Sequence, residues 1–283
     1  MSNQIYVRRT LPVYIDASTK SLKLGNIKSG YYEVLRDHLD FPDSDTDYTQ
    51  LQTELGEVWI CSRWQDTSYV KRTAPMAEFD LSEAIPESQL IKNLAAYNNS
   101  TYSLKEPHYP FELKGVSLPL APPSQNNCCT FVEGIVVKSK QDVDPTFAWN
   151  LSMHNDMMIT SRDDLFSPVT QAISSGLAVE IDQDQPQPWT IIQGWRAEFK
   201  GGHTFIIVHH DLKTDKVLTL ESNKYYKING VGYRGLGNSD QFNNKVPEDW
   251  TKSPSVFTWA KIKKTYPNYR IAALKVKDLS WVS

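Results

Sequence analysis

Four residues of this chain have the types and spacing to act together as a nucleophilic site. They are Cys128 in Asn126-Asn127-Cys128-Cys129-Thr130-Phe131-Val132, His203 in Gly202-His203-Thr204-Phe205-Ile206-Ile207-Val208, and Glu221 and Asn223 in Val217-Leu218-Thr219-Leu220-Glu221-Ser222-Asn223. A cysteine attacks as thiolate, and a free thiol is mostly protonated at neutral pH. It needs a helix N-terminus, a nearby imidazolium, or both. An imidazole with a carboxylate or an amide beside it is held in one tautomer and one orientation. A tetrahedral oxyanion would then be met by the Cys128 backbone N–H and by a polar side chain just upstream, Gln125 or Asn127.

The elements that must position these groups are readable. The runs around His203 and Glu221 are β-branched and apolar, and the polar Asp211-Leu212-Lys213-Thr214-Asp215-Lys216 between them reads as a turn. A turn centred near Lys213 sets His203 across from Asn223 and Phe205 across from Glu221. Opposed residues share a face, so His203, Glu221 and Asn223 project together. A carboxylate stabilises an imidazolium more than an amide does, which favours Glu221 as orienter and Asn223 as its support. A different register would reverse the two. Upstream, an extended Pro-rich run, 115–123, ends at the cysteine pair. Phe131, Val132, Ile135 and Val136 then give a helix with a buried stripe. That puts Cys128 at a helix N-terminus, and His203 reaches it if the helix packs on the face that carries the imidazole.

Other candidates carry less. Cys129 points elsewhere on the helix and reads as core, as does Cys61 in Val58-Trp59-Ile60-Cys61. His209 and His210 lie ~20 Å from His203 at about 3.3 Å per residue and face opposite sides, so no metal site is expected. Gly230-Val231-Gly232-Tyr233-Arg234-Gly235 has the letters of a dinucleotide fingerprint, but no helix follows it, so it reads as a loop. Trp195, Tyr225, Tyr226 and Tyr233 read either as a substrate wall or as aromatic core.

Composition sets outer bounds. The 283 residues carry a net charge of −3, which gives no electrostatic footprint for nucleic acid. No run of eighteen apolar residues offers a membrane span, and three cysteines make no disulfide framework. Residues 1–9 contain no apolar segment of the signal-peptide kind, so synthesis in the cytoplasm is expected, with export by another route if the target lies outside. Residues 1–70 read as short strands: 5–7, 11–15, 31–35, 48–52 and 56–64, with an acidic loop at 40–47. Residues 71–119 read as a connector with one short helix at 86–97. Residues 120–283 read as α+β: helices at 131–136 and 167–173, an antiparallel sheet from 189 onward, a helix at 256–266 and a last strand at 269–276.

These residues carry family resemblances. Asn127-Cys128-Cys129-Thr130-Phe131-Val132 resembles the nucleophile segment of the CHAP and NlpC/P60 cysteine hydrolases, in which an aromatic or Leu stands three positions after the reactive Cys. Gly202-His203 resembles their Gly-His strand, and Glu221-x-Asn223 resembles the Glu and Asn that follow the catalytic His in CHAP domains. The sequence departs from the pattern at Trp189-Thr190, where a Gly-Asp pair is usual, and at Asn127, where Asp or Gln is common. The segment 25–35 with the closing Gly-x-Val-Trp strand resembles a bacterial SH3-like domain. The resemblance implies a papain-like fold preceded by a small all-β SH3-like barrel. It further implies an enzyme that hydrolyses an amide in peptidoglycan or a muropeptide, without cofactor or metal. Alternatives left open are a papain-like hydrolase or acyltransferase acting on a non-wall amide or ester, and a binding module with a degenerate site. The sequence names no inhibitor or immunity protein.

Overall fold

Period-two alternation builds the first of two units, Met1–Glu78. The pairs Ile5 and Val7, Leu11 and Val13, and Val58 and Ile60 each turn one strand face inward, where they bury together with Ile27, Val34, Leu51 and Val70. The computed structural model describes residues 4–40, 46–64, 67–72, 83–103, 124–147, 167–183, 186–237, 246 and 248–281. The extended run expected over 115–123 and the centre of the acidic loop, 41–45, lie outside the described residues.

In the first unit the strands are β1 (Gln4–Val7), β2 (Leu11–Tyr14), β3 (Lys23–Ile27), β4 (Gly30–Asp40), β5 (Thr46–Thr53), β6 (Gly56–Trp64), β7 (Thr67–Ser68) and β8 (Val70–Arg72). They pair antiparallel in the order β3-β2-β6-β5-β4-β1-β8, with β7 on β6. No ladder among the described residues joins β3 to β8, so a closed barrel is not shown. β3 is absent from the sequence expectation because Gly25 and Asn26 at its centre are poor strand formers. Cys61 is half-buried, and its thiol donates to the Arg63 carbonyl at 3.2 Å.

The second unit, Phe79–Ser283, is α+β. It runs β9 (Ile85–Pro86), α1 (Glu87–Leu94), β10 (Thr101–Tyr102), β11 (Gln125–Asn126), α2 (Cys128–Val143), α3 (Ser167–Ser174), β12 (Ala178–Glu180), β13 (Thr190–Trp195), β14 (Gly202–Asp211), β15 (Lys216–Asn223), β16 (Gly230–Tyr233), α4 (Trp259–Thr265), β17 (Asn268–Leu274) and β18 (Val276–Lys277). Its main sheet has the order β12-β17-β13-β14-β15-β16, antiparallel throughout. The stretch expected as a connector is thereby divided, and its helix is built into this unit. Asn93 of α1 donates to Ser139 of α2 at 3.0 Å, and the buried Glu87 carboxylate accepts from the Trp189 indole at 2.7 Å and from the Trp281 amide at 2.8 Å.

Both sheet faces are covered, and the alternation on β14 decides which residue goes where. Ile206 and Val208 face the core formed with α1, α2 and α3, whereas Phe205 and Ile207 face a second core with Phe257, Trp259, Ile262 and Tyr266. This corrects one expectation. α2 packs on the face of Thr204 and Ile206, opposite the face of His203. Cys128 and the His203 imidazole meet at the end of the sheet, around the start of β14.

The hairpin register is set by a bulge. The turn pairs Asp211 with Lys216 and His209 with Leu218, but Ile207 pairs with Thr219 and Ile206 with Leu220, so Val208 is the extra residue. Continued toward the site, the second register opposes Phe205 to Glu221 and His203 to Asn223. Without the bulge, the turn-side register would oppose His203 to Lys224 and turn Glu221 and Asn223 to the other face. The segment 230–235, expected as a loop, is mostly strand β16, pairing Glu221 with Gly232 and Asn223 with Gly230. Gly230 serves a close approach, since with φ +112° an added Cβ would lie 1.9 Å from the Ser100 carbonyl oxygen.

Candidate active site

The helix that presents Cys128 begins where it does because Asn127 caps it. Asn127 is extended (φ −115°, ψ −175°), its Oδ1 accepts from Cys129 N and Thr130 N at 3.0 Å each, and Thr130 Oγ1 accepts from Asn127 N at 2.8 Å. This capping box leaves the Cys128 N–H in the first turn, where no intrahelical acceptor exists. It also separates the two oxyanion candidates. The Asn127 oxygen is committed to the helix, while Gln125 is exposed on β11, three residues before the thiol. Replacing the cap tests its role. Asn127→Ala should cost roughly 0.5–2 kcal/mol of stability. Asn127→Asp should keep the cap but weaken the thiolate by like charge, seen as a higher midpoint in the pH profile of Cys128 alkylation in a protein of unchanged melting temperature.

His203 sits on β14 with Phe205 5.5 Å away and Tyr266 stacked on it at 6.3 Å between ring centroids. Its Nε2 meets Glu221 Oε2, so the other ring nitrogen is the one left toward Cys128. Asn223 Nδ2 donates to Glu221 Oε2 at 2.7 Å and lies 3.4 Å from His203 Nε2, which places the amide chiefly on the carboxylate. Thr219 Oγ1 donates to Glu221 Oε1 at 3.1 Å. A residue absent from the sequence expectation completes the group. Arg234, just past β16, grips Glu221 with Nε to Oε1 at 2.6 Å and an Nη to Oε2 at 3.0 Å. Glu221 is 0% and Arg234 1% exposed.

The electrostatics follow from these contacts. Hydrogen bonding from the neighbouring Cys129 thiol and from His203, together with the charge of His203, holds Cys128 well below the ordinary thiol range against its burial. Cys129 is pushed well above that range by its bond to Cys128 and by burial, with the charges of Cys128 and Glu133 adding. The Cys129 sulfur lies 3.2 Å from Thr204 Oγ1 on the opposite face. Burial disfavours a charged His203, but the Glu221 carboxylate and Cys128 outweigh it and push the imidazole up to about 10. Glu221, which burial would raise, is held far below the carboxylate range by Arg234 and then by His203.

These shifts predict the dependence of stability on pH. Glu221, depressed in the folded state, contributes fully above its unfolded value of about 4.5, and that contribution is lost as pH falls below it. His203, raised in the folded state, contributes fully below about 6.5 and loses its contribution as pH rises through about 10. Melting temperature should therefore be highest between about pH 4.5 and 6.5 from these two groups, and Glu221→Gln should flatten both limbs.

The aromatic candidates separate. Trp195 is half-buried over the Gly202 backbone, and Tyr225 is 70% exposed in the β15–β16 connection, at the site's end of the sheet. Tyr226 is exposed at one edge and holds its ring 4.8 Å from the Arg234 guanidinium. Tyr233 is a correction. At 1% exposure it is core, opposite Leu220 and 6.3 Å from Trp281, and it cannot line a substrate wall. His209 packs edge-on against Trp250 and His210 Nε2 lies 3.2 Å from Asp215, both away from the site. Among the described residues no cluster of His, Cys, Asp or Glu has metal-holding geometry, and no helix is long and apolar enough to cross a membrane.

No protein-family model matches this chain, and no curated protein matches it. Two solved structures are similar to it. One is an NlpC/P60 family protein from Bacillus cereus ATCC 10987, with 11% sequence identity, a TM-score of 0.26, and coverage of 82% of this chain and 57% of that one. Another is NlpC2 from Trichomonas vaginalis, with 11% identity, a TM-score of 0.27, and coverage of 91% and 71%. The chain thus spans little more than half the length of the first.

Proposed function

We propose that the protein is a papain-like cysteine hydrolase that cleaves an amide bond in peptidoglycan or a muropeptide. The observation that carries the chemistry is Cys128 at the N-terminus of α2, with His203 of β14 beside it and Glu221 of β15 against the imidazole. The wall substrate rests on the resemblance of the Cys128, His203 and Glu221-x-Asn223 segments to the CHAP and NlpC/P60 hydrolases. Cys128 attacks the carbonyl carbon, and the oxyanion meets the Cys128 N–H, with Gln125 as the side-chain donor. The His203 imidazolium gives its proton to the leaving amine. It then takes a proton from the water that cleaves the thioester, and Cys128 leaves as thiolate, which restores the thiolate–imidazolium pair. Glu221 orients the ring and stabilises its charge throughout, and Asn223 braces Glu221. Trp195 and Tyr225 contact the substrate. The first unit, as an SH3-like module, holds the wall.

Incubation with purified peptidoglycan, followed by mass spectrometry of the soluble products, tests this. Released fragments carrying one new amine and one new carboxyl group are expected. Intact peptidoglycan, with turnover of a soluble protein or lipid amide instead, would move the substrate and keep the chemistry. Binding without any cleavage would reduce the chain to a binding module.

A further inference from the structure

We propose that Arg234 is a positioning residue for the nucleophile: by gripping both oxygens of Glu221 it keeps that carboxylate ionised and aimed at His203. The inference rests on the reading of Cys128 and His203 as the reacting pair.

Each oxygen of Glu221 is accounted for. Oε1 receives Arg234 Nε at 2.6 Å and Thr219 Oγ1 at 3.1 Å, while Oε2 receives an Arg234 Nη at 3.0 Å, Asn223 Nδ2 at 2.7 Å and His203 Nε2. The carboxylate has one orientation left. It is also fully buried, where an isolated carboxylate would take up a proton rather than keep its charge. A guanidinium never gives up its own proton, so it is the partner that prevents this. Three rings fix the guanidinium in turn, Phe205 at 5.2 Å, Tyr226 at 4.8 Å and Phe257 at 4.9 Å, with Lys261 3.9 Å from the Phe257 ring.

The four groups then alternate in sign: Cys128 negative, His203 positive, Glu221 negative, Arg234 positive. Arg234 also repels the imidazolium, but from behind the carboxylate. Glu221 touches both cations, and Coulomb energy falls with distance, so the contact pairs win. Take Arg234 away, and the uncharged arrangement of Glu221 and His203 becomes favourable, leaving the Cys128 thiol to recover its proton. The remaining groups facing this chain are Tyr266 at the end of α4, which neighbours both Arg234 and His203, and Cys129 with Glu133 on α2.

The test is the pH profile of Cys128 alkylation by iodoacetamide in the full chain, read by mass spectrometry of the Cys128 peptide. It needs no substrate. Arg234→Met should move the midpoint of thiolate formation up by about one pH unit, slowing alkylation about tenfold at pH values below the wild-type midpoint. Arg234→Lys should fall between, since lysine keeps the charge but loses the two-pronged grip. Glu221→Gln should shift the midpoint as well, and Arg234→Met added to it should shift it no further, because Arg234 acts only through Glu221. A folded Arg234→Met with the wild-type profile, or an additive double variant, overturns the proposal. If Arg234→Met does not fold, Arg234→Lys decides, and a wild-type profile there overturns it equally. Failure of the underlying reading is distinct, because Cys128 of the wild type would then alkylate as an ordinary thiol before any variant is compared.

Discussion

Cys128→Ala should abolish turnover, by more than about 10⁴-fold, in a protein whose circular dichroism is unchanged. Cys129→Ala should lose no more than about tenfold, the equivalent of one pKa unit. The two sulfurs are adjacent in the chain but differ in every physical respect that matters to attack. Cys128 is the first residue of α2, at the positive end of the helix and coupled to His203. Cys129 is turned to the opposite face of the sheet, 3.2 Å from the Thr204 hydroxyl, and its thiol is pushed up by its hydrogen bond to Cys128 and by burial. Its bond to Cys128 assists the thiolate, which is why some loss is expected. His203→Ala should be as damaging as loss of the thiol, whereas His209→Ala and His210→Ala should be mild. A folded but dead Cys129→Ala alongside an active Cys128→Ala would reassign the nucleophile.

Glu221→Gln should cost more than Asn223→Ala in both turnover and stability. The carboxylate is the hub on which His203, Arg234, Asn223 and Thr219 converge, and removing its charge leaves a buried guanidinium without its partner. Breaking a buried pair from one side costs roughly 3–5 kcal/mol. Asn223→Ala removes the bond that braces Oε2, at about 1 kcal/mol, and leaves the carboxylate beside the ring. Thermal unfolding separates the two by size. Turnover across pH should show the loss of the low-pH thiolate in Glu221→Gln only. A larger loss from Asn223→Ala would make the amide the orienting group.

Much of the candidate site's geometry was legible in the sequence because its parts obey local rules. The hairpin register near the site could be read from the alternation of β14 and β15, and the start of α2 from polar residues before an apolar stripe. The turn-side register could not, because the Val208 bulge is an adjustment between two strands that no single strand announces. The side on which α2 packs was illegible for a similar reason. Both faces of β14 are apolar, so its composition does not say which face receives the helix. Arg234 was hidden within glycine letters that read as a loop. Its importance arises from the pairing of β16 with β15, which sets it beside Thr219 and Glu221. Tyr233 illustrates the same dependence, since its neighbour's ladder decides that the tyrosine is core and the arginine faces the carboxylate.

The central claim is that Cys128 and His203 rest as a thiolate–imidazolium pair. The measurement that tests it most directly is the titration of the His203 ring nitrogens by NMR in the wild type and in Cys128→Ala. The wild-type ring should remain protonated through neutral pH and titrate near 10, and in Cys128→Ala it should titrate at lower pH because the negative sulfur is gone. A His203 that titrates near 6.5 in the wild type and does not move in Cys128→Ala would contradict the pair.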